Sequence, residues 1–425
     1  MKRTWKSMMA MGLAGVMTAG LTACGGGSAP ATTAAPAATT AAPAATAASQ
    51  AAETSAAESK EESKVEASGV TAAVDEIHIG MVNPLSGDNA LYGLDQVHGM
   101  SLAIEEINAA GGVNGAQLVL EQYDDQGDPQ NAAKGAQKFA DDENIVAMVG
   151  SSLTSCTLAI VPIIDDAGLV ECVVSSSSPS LANCSDYFFR MAVQDAQVGP
   201  QMAKAAMKKG YNKILVMCSN NDFGKNLAGN LVAYAKENGA EIVDEIEYNP
   251  ADQDFTAILT KVKDEAPEAV ALCGTVTDCA LIIKQMKNLG IEAYIIGHTS
   301  LYSTNALEIA GDAMEGVGCV SVYISSNPDA QVQEFVKKYE EKFSETPDSF
   351  AAMAYDMAYV LAEAADKAMQ AEGGEVTRDG MMHGMEETDY DGVTGDVYFT
   401  EGNEWERDYL ILKVENGEFT LDLDS

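Results

Sequence analysis

From Ile77 onward the chain alternates short apolar runs with stretches whose apolar residues recur every three or four positions. Ile77, Ile79, Met81 and Val82 suit a buried strand, and Asn83-Pro84 with Ser86-Gly87 end it abruptly. From Gly99 the period changes: Met100, Ala103, Ile104 and Ile107 predict an amphipathic helix whose other face carries Glu105, Glu106 and Asn108. Gly111-Gly112 stops it, and a second strand runs to Tyr123. Residues 77–123 therefore read as strand, loop, helix, strand. A loop leading from a parallel strand towards a helix N-terminus, with its free N–H groups, suits a small anionic or polar ligand. Tyr92 in that loop is placed to cover an apolar part of it.

The same rhythm continues. Asp128 can cap a helix with Pro129 in its first turn, and the helix runs to Asp141. Strands 145–149 and 169–174 are each followed by a hydroxyl-rich loop, Ser151 to Ser155 and Ser175 to Ser178, and both loops would line one rim of a parallel sheet. After a short strand 187–190 and a helix from Asp195 to Gly210, the pattern restarts: strands 213–218, 241–248, 269–274 and 293–297 alternate with helices 224–238, 255–265 and 278–289. A strand at 317–323, long helices at 330–343 and 349–369, and strand-like 395–399 and 409–414 complete the chain. The fold class is α/β, with two doubly wound parallel-sheet lobes, and the long helices are expected to pack back onto the first.

Composition changes the picture at both ends of the argument. At 425 residues and 47 % hydrophobic, the chain can bury two cores of ordinary size. Its formal charge of −39 repels nucleic acid and anionic lipid surfaces, which excludes both as partners of the folded body. Lys2, Arg3 and Lys6 precede an apolar stretch, Met8 to Ala19, too short to span a membrane, and Leu21-Thr22-Ala23-Cys24 closes it like a bacterial lipobox. That likeness implies a signal peptide over 1–23 and lipid on Cys24, hence an extracytoplasmic protein held to a bacterial membrane by its N-terminus. Gly25 to Ser68 is Ala, Thr, Pro and Ser with an acidic end, a coil with an end-to-end distance of roughly 35–40 Å, and we read 24–73 as a tether.

Seven cysteines remain beyond Cys24. Cys218, Cys273 and Cys319 lie in apolar runs and read as buried thiols, whereas Cys172 and Cys184 could form a disulfide or stay reduced. No C-x-x-C is present and His78, His98, His298 and His383 have no metal-ligand spacing, so neither metal nor cofactor is expected.

The order of residues strongly resembles the substrate-binding proteins of branched-chain amino acid ABC transporters, the leucine/isoleucine/valine-binding type. The carriers are PLSG (84–87), YG (92–93), AIEEINAAGGVNG (103–115), YDDQGDP (123–129), SSLTSCT (151–157), SSSSP (175–179), FFR (188–190), NDFG (221–224), KQMKNLG (284–290), YD (355–356) and GDVYF (395–399). The resemblance implies a type I periplasmic-binding fold of two lobes joined by three crossover strands, with ligand trapped as the cleft closes, an ABC permease as partner and a monomer. We divide the chain into lobe 1, 74–193 plus 324–394, and lobe 2, 194–323 plus 395–425. Matching positions assign ligand contact to Tyr92, Thr154, Ser175, Ser177, Phe223, Thr275, Thr299 and Phe350, and the hydroxyls and N–H groups of the loops 151–155 and 175–177, which suit a carboxylate, add Ser155 and Ser176. Branched-chain amino acid binders carry a glutamate for the ligand ammonium where Thr299 stands, and a tyrosine where Thr275 stands. Asp222 or Asp278 could supply that charge, or simply cap a helix. The implied ligand is thus an amino acid, or a small carboxylate or amide without an ammonium group.

Taken alone, the serine loops read as solvated turns and Tyr92 as a surface aromatic; the resemblance and the position after consecutive strands raise them to a site. Against catalysis, there is no G-x-x-x-x-G-K-[ST], H-E-x-x-H or G-x-S-x-G, and Gly111 to Gly115 follows a helix, opposite to a dinucleotide loop. A sensory module of the same fold and a purely structural surface protein are the remaining alternatives to solute delivery.

Overall fold

The computed structural model describes residues 71–400, 402–405 and 407–423; the expected signal peptide, Cys24 and the tether as far as residue 70 lie outside them. The tether's last residues are docked on the body, since Ala72 and Ala73 donate to the carbonyls of Asn114 and Gly374.

The first half of the described chain runs β1 (Glu76–Asn83), α1 (Ala90–Ala109), β2 (Gln117–Asp124), α2 (Pro129–Ala140), β3 (Ile145–Val149), α3 (Thr154–Ala167), β4 (Val170–Val173) and β5 (Phe188–Arg190). There follow α4 (Asp195–Lys208), β6 (Lys213–Ser219), α5 (Asp222–Glu237), β7 (Glu241–Tyr248), α6 (Thr256–Glu265), β8 (Ala269–Cys273), α7 (Val276–Asn288), β9 (Tyr294–Gly297), α8 (Thr304–Ala310) and β10 (Gly318–Ser321). Three helices come next, α9 (Ala330–Phe343), α10 (Ser349–Glu372) and α11 (Arg378–Glu386). The chain ends in β11 (Tyr390–Gly392), β12 (Gly395–Val397), β13 (Phe399–Thr400), β14 (Glu404–Trp405), β15 (Leu410–Glu415) and β16 (Glu418–Leu421).

Two seven-stranded sheets form, in the orders β13-β14-β5-β4-β3-β1-β2 and β16-β15-β10-β9-β8-β6-β7. Each repeats one parallel order about its first strand, so each has a switch point, between β1 and β3 and between β6 and β8. Every residue of β3 and β8 is buried, the signature of central parallel strands covered on both faces. Asp128 caps α2 by accepting from the N–H groups of Gln130 and Asn131, with Pro129 in the first turn, as its sequence predicts.

Two expectations need correction. Helix α1 begins at Ala90, well before Gly99, so Tyr92 sits in its first turn instead of a loop. The hydrophobic period misses that start because buried Gln96 occupies a core position and is satisfied by polar partners described below. Residues 395–409 do not join lobe 2: β13 and β14 extend the first sheet, where Glu404 is in register with Arg190 and the Phe399 ring packs edge-on against Phe189 at 5.2 Å. The second sheet is re-entered only at Leu410. Of the two states open to Cys172 and Cys184, the structure has both free; Cys172 faces the main core with Val170, whereas Cys184 packs beside Val173 on the opposite face of β4.

Among the described residues the chain passes between the sheets three times, after β5, after β10 and after β14. Helix α10 returns to lie directly on α1: a Cβ on Gly99 would stand 2.0 Å from the Ala351 carbonyl oxygen. Lys338 and Lys342 of α9 pair with Glu106 and Glu105 of α1. No described helix is long and apolar enough to cross a membrane.

Candidate functional site

The C-terminal ends of the parallel strands of both sheets converge on one cavity of about 170 Å3, far larger than the 10–15 Å3 or so that one water needs, and so sized for a small molecule. Tyr92, Thr154, Ser155, Ser175, Phe223, Thr275 and Phe350 all line it.

On the lobe 1 side a closed polar network holds the loops. Asn83, at the end of β1, donates to Gln96 Oε1 (3.1 Å); Gln96 Nε2 donates to the Ser152 and Ser175 hydroxyls (2.9 Å each). Ser152 donates in turn to Asn83 Oδ1 (2.7 Å), and Ser175 to the Ser152 carbonyl (3.1 Å). The loops after β1, β3 and β4 are thereby tied into one wall, with Ser175's proton already committed inside it. Only glycine fits at 150, where φ is +113° and a Cβ would lie 1.8 Å from the Val82 carbonyl oxygen. That close approach delivers the 151–155 segment to the cavity. Leu153 caps α3 without a side-chain acceptor, and while the Cys156 N–H turns back to the Leu153 carbonyl, those of Thr154 and Ser155 are left for a ligand. A helix N-terminus so disposed favours an anion.

Three expected contact residues are off the wall. Ser176 is buried and bonds Thr157 (2.6 Å) and the Ser151 carbonyl (2.8 Å), bracing the loop from behind. Ser177 is buried where the chain leaves lobe 1, its carbonyl accepting from Asp195 N–H. Thr299 is fully buried beneath the surface of the 298–302 turn. Each of the three is buried in its own loop while a neighbour in sequence, Ser175 or His298, reaches the cavity, a distinction that serine and threonine content alone does not reveal.

On the lobe 2 side Asn221 caps α5 and sets Phe223 in its first turn. Thr275 caps α7 in a reciprocal box with Asp278, and Tyr248 donates to Asp278 Oδ2 (2.5 Å). Burial pushes the Asp278 carboxyl above its usual range while the Thr275 and Tyr248 bonds hold it down; every one of these partners turns it into the lobe. Its capping role is therefore structural. His298 follows β9 and lies on the wall, its ring edge-on to Phe223 at 5.0 Å.

The two lobes touch through the site. The Val276 N–H donates to the Tyr92 hydroxyl (3.2 Å), and Asn226 of α5 donates to the Ser178 hydroxyl (2.8 Å). Tyr92 also packs against Phe350 at 5.2 Å, joining the starts of α1 and α10. Tyr92→Phe keeps the ring and deletes the cross-lobe bond; it is expected to cost the closed form about 1 kcal/mol, read by titration calorimetry as a roughly five-fold rise in ligand Kd. An unchanged Kd would show that this bond does not hold the lobes together.

The other histidines are structural: His78 pairs with Glu121 (3.0 Å), His98 stacks on Phe343 (4.1 Å), and exposed His383 meets Glu386 (3.1 Å). Among the described residues Asp95, His98 and Glu345 bring ligand atoms within 4.8 Å of one another, outside the cavity. Burial, then the charges of the facing Asp348 and Glu345, pushes the Asp95 carboxyl well above its usual range. Sequence reasoning missed Asn83 and Gln96, whose signal was a polar pair at positions that a strand end and a helix face would otherwise fill with apolar residues.

The comparisons agree with this geometry. A leucine-, isoleucine-, valine-, threonine- and alanine-binding protein of Pseudomonas aeruginosa is 28 % identical over 331 residues, covering 77 % of this chain and 87 % of its own. Among solved structures, the branched-chain amino acid transporter substrate-binding protein LivJ of Streptococcus pneumoniae, in complex with isoleucine, superposes with a TM-score of 0.76 at 26 % identity, covering 81 % of this chain and 97 % of that one. A solute-binding protein of an ABC transporter from Rhodopseudomonas palustris, in complex with 3,4-dihydroxybenzoic acid, gives 0.75 at 25 % identity, covering 81 % and 95 %. Residues 76–418 match the family described as periplasmic binding protein, and the chain, two doubly wound lobes closing on a shared cavity, belongs to that family.

Proposed function

We propose that this chain is the extracytoplasmic solute-binding component of an ABC importer, anchored by lipid on Cys24 and delivering an amino acid or related small carboxylate to a membrane permease. The observation that carries the reading is the cavity wall itself: an uncapped helix start with Thr154 and Ser155 on one lobe, aromatic Phe223 on the other, and Tyr92 bonded across the gap. Isoleucine and 3,4-dihydroxybenzoic acid, bound by two of the relatives, share a carboxylate, the group this helix start would accept. Closure is favoured because such a ligand touches both lobes at once; equal affinity for open and closed forms would shift nothing. The reading assigns the protein no reaction, and a monomer suffices for it.

Thermal unfolding of the full chain against amino acids, short amides and small carboxylates tests this. A true ligand at about 1,000 times its Kd should add roughly 4 kcal/mol of stability. Thr154→Ala should weaken that ligand by ~1–3 kcal/mol if the hydroxyl donates to it. A flat response across the panel would sink the proposal.

A further inference from the structure

Resting on that reading, we infer that the ligand is a small carboxylate with an apolar body, no ammonium group, and a hydrogen-bond acceptor at its far end that meets His298. The argument is an accounting of donors and acceptors on the wall. An amino acid brings an ammonium that needs a buried anion, and none is available. Asp278 spends one carboxylate oxygen on the Thr275 N–H and hydroxyl and the other on Tyr248. Thr299, at the position where the resemblance places a glutamate, is uncharged and off the wall. The acids that do line the cavity, Asp88 and Asp222, are exposed at its rim, where pairing with a charge in water is worth little.

His298 supplies the opposite chemistry. Its Nδ1 accepts the Ser300 N–H (3.3 Å), which leaves the ring proton on Nε2. That Nε2 is buried without a partner in a side chain only 3 % exposed, against Phe223 on the cavity wall. Burial pushes the imidazole down to about 3, so it stays neutral and offers a donor at any ordinary pH. An ammonium placed beside this N–H would leave both donors unsatisfied, whereas a carbonyl, ether or phenolic oxygen satisfies it. The Tyr92, Phe223 and Phe350 rings line the same cavity as His298 and the start of α3, and suit a flat apolar body.

Calorimetric titration of the full chain with two matched probe pairs tests the inference. 4-Methylpentanoate should bind at least ten-fold tighter than leucine, which differs from it by the ammonium. 4-Hydroxybenzoate should bind at least ten-fold tighter than benzoate, and His298→Leu should bring the ratio of the two affinities to about one. Leucine binding tighter than 4-methylpentanoate would overturn the inference and leave the transport reading standing; this comparison needs no variant to fold. Equal loss of both benzoates in His298→Leu would also overturn it. No binding by any of the four would overturn it too, and the wider panel alone would then decide the transport reading.

Discussion

Arg190→Ala should lose about 3–5 kcal/mol of stability, because it strips one partner from a buried ion pair. Arg190 is 1 % exposed at the end of β5, where the chain first leaves lobe 1. Its guanidinium grips Glu404 of β14 through two bonds of 2.7 and 2.5 Å, and its third arm donates to the Ser178 carbonyl at 2.6 Å. Without it, Glu404 keeps only the Gln194 amide at 3.1 Å. The loss should appear as a lower urea midpoint. Because Ser178 is also the residue that Asn226 reaches from the other lobe, ligand affinity should fall as well. Arg190→Met with Glu404→Met removes both charges together and should recover much of the stability, since two apolar side chains of similar volume carry no desolvation cost. If the single variant costs no more than an exposed ion pair, under about 1 kcal/mol, the pair does not secure the hinge.

Gly99→Val should be the other severe change. A β-carbon there meets the Ala351 carbonyl oxygen at 2.0 Å and its carbon at 2.8 Å, and backbone cannot turn aside as a side-chain tip can. Helices α1 and α10 must therefore separate, at a cost of about 3 kcal/mol or somewhat more. The damage reaches the site because Tyr92 lies two turns before Gly99 on α1 and Phe350 is the neighbour of Ala351 on α10. Ligand binding should weaken even where the variant still folds. Gly229→Ala serves as the control: it lies on an exposed position of α5 with open space around its Cβ, and should gain roughly 0.5–1 kcal/mol. Equal urea midpoints for the two glycine variants would refute the close-packing account.

Where local chemistry settles a choice, the chain could be read directly. The apolar runs of β3 and β8, the Asp128-Pro129 helix start and the restart of the rhythm after Gly210 each depend on a few neighbouring residues. Asp278 shows the reverse: a first-turn acid can cap its own helix or reach a ligand, and only the position of Tyr248, thirty residues upstream, commits it to the cap. The start of α1 was hidden for a similar reason, since Gln96 belongs in the core only when Asn83, Ser152 and Ser175 arrive to bond it.

By itself the sequence determined two doubly wound α/β lobes and the cluster of hydroxyl loops at strand ends, because side-chain periodicity and turn chemistry act within a few residues of one another. Tertiary structure alone decided which serines face the ligand, which acids are spent on caps, that β13 and β14 complete the first sheet, and that His298 presents an unmatched donor. Each of those outcomes depends on groups brought together from distant segments, and burial charges a polar group for lacking a partner wherever in the chain that partner lies.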